Sequence, residues 1–127
     1  MLPMSAAEVP STCTPSYQGD IHVLRVWPHM HQYGTRFLSE IVRTDGRRHQ
    51  LVEVNPWVFA DQVTYDRTTT IHPGAVVTST CWFQNNTPLL VGFGESSEAE
   101  MCYNFAWAYP ARTLVSAGSV HRNQCLL

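Results

Sequence analysis

Apolar and polar positions along this chain alternate in short runs, with the two-residue period of half-buried β-strands. Ile21-His22-Val23-Leu24-Arg25-Val26-Trp27 is one such run, and residues 37–42 and 50–54 are two more. Val63-Thr64-Tyr65 leads into Thr68-Thr69-Thr70-Ile71, residues 75–83 form a long apolar and β-branched run, and residues 102–109 are rich in aromatics. The breaks carry turn chemistry: Asp45-Gly46, Asn55-Pro56, His72-Pro73-Gly74, Asn85-Asn86-Thr87-Pro88 and Gly92-Phe93-Gly94. Short strands separated by turns roughly every 8–12 residues predict a β-sandwich or jelly roll. Only the turn from Ser96 to Glu100 has any helical character. No repeat, linker or low-complexity tract divides residues 1–127, which read as one all-β domain.

Composition narrows the class of partner. Charged residues make up only 14% of the chain, against about 25% in a typical soluble protein. A surface of Ser, Thr, Asn and Gln is therefore expected, as in extracellular sandwiches. A net charge of −2 leaves no basic stripe and argues against nucleic acid as a partner. No apolar run reaches the roughly 18 residues that would suggest a membrane span. Met1 to Glu8 lacks the basic start and apolar stretch of a signal peptide. The chain reads as an excised domain whose export signal, if any, lies elsewhere in a parent protein. Cys13, Cys81, Cys102 and Cys125 form no CxxC pair. An even number of widely spaced cysteines points to two disulfides and an oxidising location: secreted, periplasmic or in a secretory vesicle. Spacing alone leaves all three pairings open.

The sharpest local feature is Pro28-His29-Met30-His31. On a strand, His29 and His31 point the same way, about 6.5–7 Å apart along the backbone, a spacing at which two imidazoles can share one metal. Imidazole suits copper, zinc, iron and nickel alike, so the pair does not choose among them. Met30 points to the opposite face and reads as core. Met101, in Glu98-Ala99-Glu100-Met101-Cys102, has two readings. It is a gap-filler in the core, or a soft thioether donor, which favours copper and Cu(I) especially. His49 reads as part of a basic loop beside Arg47 and Arg48, His72 as the opening of a turn, and His121 as a residue near the end. Asn85-Asn86-Thr87 is a formal glycosylation sequon, but Pro88 directly after it favours a plain turn.

Taken in order, three stretches resemble the C-terminal catalytic domain of the type II, ascorbate-dependent copper monooxygenases, the peptidylglycine α-hydroxylating and dopamine β-hydroxylating enzymes. The first is Ile21-His22-Val23 followed by His29-Met30-His31 and Gly34. The second is Ile71-His72-Pro73-Gly74 leading to Thr78-Ser79-Thr80-Cys81. The third is Gly92-Phe93-Gly94, then Glu100-Met101-Cys102, Asn104 and Tyr109-Pro110. The second and third look closest to the dopamine-hydroxylating branch. The resemblance runs from about Cys13 to Cys125 and implies an antiparallel jelly-roll sandwich stapled by Cys81–Cys102 and Cys13–Cys125. It also implies one copper per chain, held by nitrogen from His29 and His31 and sulfur from Met101, that binds and activates O2 with ascorbate as reductant. His22 would then pack or hydrogen-bond near the site.

Departures from the family bear on function. The peptidylglycine branch has an arginine two residues before the first ligand histidine, where this chain has Trp27, and a tyrosine where it has Phe105. A peptide-carboxylate substrate is therefore not expected, and the small-molecule substrate is not named by the sequence. The family's preceding domain, with a second copper held by three histidines, does not fit in 127 residues. Efficient hydroxylation by this chain alone is not expected, since it needs two electrons and one copper stores one. The competing reading is a non-catalytic copper module on the same scaffold: a carrier, a sensor or a redox protein. An exposed interdomain face would receive a second domain of the parent or a second copy of the chain.

Overall fold

The computed structural model describes residues 1–111 and residue 113, and in it the chain forms the expected antiparallel sandwich. Its strands are β1 (Ser5–Cys13), β2 (Ile21–His29), β3 (Gly34–Val42), β4 (Arg48–Val54), β5 (Tyr65–Ile71), β6 (Val76–Asn85) and β7 (Tyr103–Tyr109). One sheet has the order β1-β6-β3-β4 and the other β5-β2-β7, with every ladder antiparallel. Five of the six connections cross between the sheets, the wrapping expected of a jelly roll. Among the described residues no helix is long and apolar enough to cross a membrane. The one helical element among them is the short 3-10 turn Phe59–Asp61.

The core lies between the sheets. Ile21, Val23 and Val26 of β2 and Ile71 of β5 face Phe37, Ile41, Val52, Cys81 and Phe83 of the larger sheet. Strand parity changes once within β2, and that change sets up the site. Ile21 and Val23 are buried, Leu24 and Arg25 are both exposed, and then Val26, Pro28 and Met30 are buried. The ladders on both sides of β2 shift register between Val23 and Arg25. An extra residue in a strand reverses which faces its later side chains take. Without this bulge, His29 would share the inward parity of Ile21 and Val23. With it, Trp27 and His29 stand on the outer face.

The turn signals sit where expected. Arg43 and Arg47 close the β3–β4 hairpin, where Gly46 takes φ of 84°, and Ala75 N–H bonds the His72 carbonyl across a turn in which Gly74 has φ of 86°. Asn85 is fully buried. Its amide donates to the carbonyls of Leu2 and Leu89, and its oxygen accepts from the Thr87 N–H and hydroxyl. The sequon is a structural turn. Two elements depart from expectation: β1 lies in a stretch with no strong strand signal, and His49 is part of β4 rather than of a loop.

Candidate metal centre

His29 is the last residue of β2 and His31 lies just beyond it, in the turn that leads to β3. The strand therefore does not carry both histidines, as simple alternation would have it. The chain leaves the sheet at Met30, which is wholly buried and anchors the turn in the core, and His31 folds back, itself 6% exposed. The two rings still meet, with centroids 5.1 Å apart and planes at 85°.

What holds them is a set of hydrogen bonds that also fixes their tautomers. The carbonyl of Ala99 can only accept, so the 3.0 Å contact to His31 Nδ1 places the proton on that nitrogen. Gln62 Nε2 donates to the Phe59 carbonyl at 3.0 Å, which turns its Oε1 toward His29. Oε1 is 2.7 Å from His29 Nδ1, so that nitrogen is the donor too. Both imidazoles, when neutral, are left with a lone pair on Nε2. Anchoring one ring nitrogen to an acceptor is the usual way a metal-binding histidine is oriented and made more basic.

The backbone around His31 is held just as closely. Its carbonyl accepts from Trp57 Nε1 at 3.1 Å and from the Gly34 N–H at 3.3 Å. Its own N–H donates to Glu100 Oε2 at 2.9 Å, while the Tyr33 N–H donates to Oε1 at 2.6 Å and the Met101 N–H to Oε2 at 3.3 Å. Glu100 is 1% exposed, and burial pushes its pKa above the ordinary carboxylate value, while the three N–H bonds and the nearby His31 pull it back in part. Glu100 thus pins residues 31–33 to residues 99–101, the segment that carries Met101. The half-buried Met101 is followed directly by Cys102, which is bonded to Cys81 of β6 with 6.0 Å between their Cα atoms. A crosslink closing 21 residues is worth about 3 kcal/mol and ties this segment to the larger sheet. The other expected pairing involves Cys125, which lies outside the described residues, as does His121.

Aromatic rings flank the histidines. Phe59 lies 5.9 Å from His31, and Trp27 and Phe105 each lie 6.2 Å from His29. His22 corrects an expectation. It stacks on Tyr109 at 4.7 Å and bonds Thr70 at 3.3 Å, seven residues along β2 from His29, or about 23 Å for an extended strand. It is remote from the pair. His72 bonds Asp20 at 3.0 Å on the exposed surface.

A family model described as copper type II ascorbate-dependent monooxygenase, C-terminal domain, matches residues 3–126. The chain belongs to that family. No curated protein gives a significant sequence match to it. For a copper monooxygenase C-terminal domain the donor chemistry fits. An ion sits about 2 Å from each imidazole nitrogen and so roughly 3 Å from each ring centre, and ring centres up to about 6 Å apart can share it. The 5.1 Å separation is inside that limit. Among the described residues no three His, Cys, Asp or Glu side chains gather to hold a metal. Gln62, Ala99 and Glu100 carry no local sequence signal of a site role. Their roles depend on contacts across 33 to 69 residues of chain, and only the Glu100-Met101-Cys102 stretch marked the neighbourhood.

Proposed function

We propose that this domain holds one copper ion through Nε2 of His29, Nε2 of His31 and the sulfur of Met101, and that it serves as the oxygen-activating half of an ascorbate-dependent hydroxylating enzyme. The observation that carries the reading is the paired histidines, each with Nδ1 committed to an acceptor and Nε2 left to coordinate, on rings 5.1 Å apart. When bound, copper supplies one-electron redox chemistry and the affinity for O2. The chain's own residues do the rest. Gln62 and the Ala99 carbonyl hold the rings and their tautomers, and Glu100 holds the His31 turn against the segment bearing Met101. A thioether favours Cu(I), the state that meets O2. Trp27 and Phe105 give the His29 side an aromatic wall, which suits a small apolar or aromatic substrate better than a carboxylate. The disulfide and the family are consistent with an oxidising, secretory location.

Copper stoichiometry tests this first. One equivalent per chain should bind, and it should be lost in both His29→Ala and His31→Ala with the sandwich still folded. Retention of one equivalent in either variant overturns the site. Ascorbate-dependent O2 consumption by the loaded domain would favour the catalytic role, and stoichiometric copper without it would favour the carrier or sensor.

A further inference from the structure

We propose that the outer edge of β7 pairs with the same edge of a second copy of this chain, about a twofold axis through Ala106. Among the described residues β7 is the last strand of its sheet, in the order β5-β2-β7. Edge strands are normally guarded by charges, prolines or bulges, because their unpaired N–H and C=O groups invite another strand. Tyr103-Asn104-Phe105-Ala106-Trp107-Ala108-Tyr109 has no charge and no proline. Pro28 shows which groups are open. It stands opposite Asn104 in the β2–β7 ladder and has no N–H, so the doubly bonded pairs are Trp27 with Phe105 and His29 with Tyr103. Alternation then directs the N–H and C=O of Asn104, Ala106 and Ala108 to the open edge.

The residue order names the occupant. Antiparallel pairing about a dyad at Ala106 sets Ala106 against itself, Phe105 against Trp107, Asn104 against Ala108 and Tyr103 against Tyr109. Paired residues share a face, so every aromatic meets an aromatic and every small residue a small one. A slip of one residue would set each aromatic against Ala or Asn. Such self-complementarity is what an isologous interface requires of a strand. The rings concerned are open: Tyr103 is 38%, Phe105 45%, Trp107 47% and Tyr109 51% exposed. Pairing would use about six backbone hydrogen bonds and join two three-stranded sheets into one. It would also bear on the site. Tyr103 lies opposite His29, so Tyr109 of the partner subunit would come beside Tyr103 at the rim of the histidine pair.

Sedimentation equilibrium of the metal-free 127-residue chain tests this, with Ala106→Pro and Ala106→Lys. Proline at 106 removes only an N–H directed to the open edge, so the sandwich should keep its near-UV circular dichroism. The wild type should weigh twice 14.4 kDa and both variants should be folded monomers. A wild type that is monomeric at every concentration overturns the proposal, as does a dimer that survives both substitutions. Unfolding of Ala106→Pro alone would show that the Ala106 N–H bonds β2, and would overturn the register.

Discussion

Glu100 is the buried group on which the histidine turn depends, and Glu100→Gln tests that dependence with almost no change in shape. Three N–H donors converge on its two oxygens: Tyr33 on Oε1, His31 and Met101 on Oε2. A glutamine has one oxygen and one NH2, so whichever way the amide turns, at least one donor faces another donor. A buried donor left unsatisfied costs about 1–3 kcal/mol. Relief from burying a charge offsets part of this. We expect Glu100→Gln to cost about 2 kcal/mol and Glu100→Ala, which orphans all three donors and leaves a cavity, about 4 kcal/mol. Urea unfolding of the metal-free protein measures both, with m unchanged. The pH dependence has a definite sign. Burial, the larger influence, raises the Glu100 pKa, so the folded chain holds this proton more tightly than the unfolded chain. Its contribution is fully present below the ordinary carboxylate range and is lost as pH rises through the raised pKa. The advantage of wild type over Glu100→Gln should therefore shrink from acid toward neutral pH. A Glu100→Ala variant within about 0.5 kcal/mol of wild type, or an advantage that grows with pH, would refute the reasoning.

Other substitutions probe neighbouring parts of the account. Gln62→Leu removes the acceptor for His29 Nδ1–H and should weaken copper binding about 10–100-fold in a competition titration, with the fold intact. At Gly34 a Cβ would lie 2.9 Å from both Met30 Cε and Trp57 Cδ1, in the packing that carries the His31 turn. Gly34→Ala should cost about 1–3 kcal/mol in thermal unfolding, and an unchanged midpoint would show that this packing yields easily. Asn85 is buried with its amide fully bonded, so peptide mass spectrometry of the chain secreted from a glycosylating host should find it unmodified.

Much of this was legible because strands and turns are local. The apolar alternation marked six of the seven strands, and Asp45-Gly46 and His72-Pro73-Gly74 marked turns that need positive φ at glycine. β1 was not legible, since Ser5 to Cys13 has few β-branched or aromatic residues and is held mainly by its ladder to β6. The histidine pair was seen, but for a reason only partly right. Alternation predicts that His29 and His31 share a strand face, whereas a bulge turns His29 outward and a turn returns His31 to it. Bulges and turns beyond a strand end are set by tertiary register, which the local pattern does not encode. Gln62 and Glu100 were hidden for the same reason, being polar residues whose partners lie far away in the chain.

The central claim is a copper held by two imidazoles and one thioether, and X-ray absorption at the copper edge tests it most directly. Protein loaded with one copper and reduced with ascorbate should show a sulfur shell beside two nitrogen ligands, and that shell should vanish in Met101→Ile. A shell of nitrogen and oxygen only, unchanged by Met101→Ile, would contradict the assignment and leave a two-histidine metal site without its thioether.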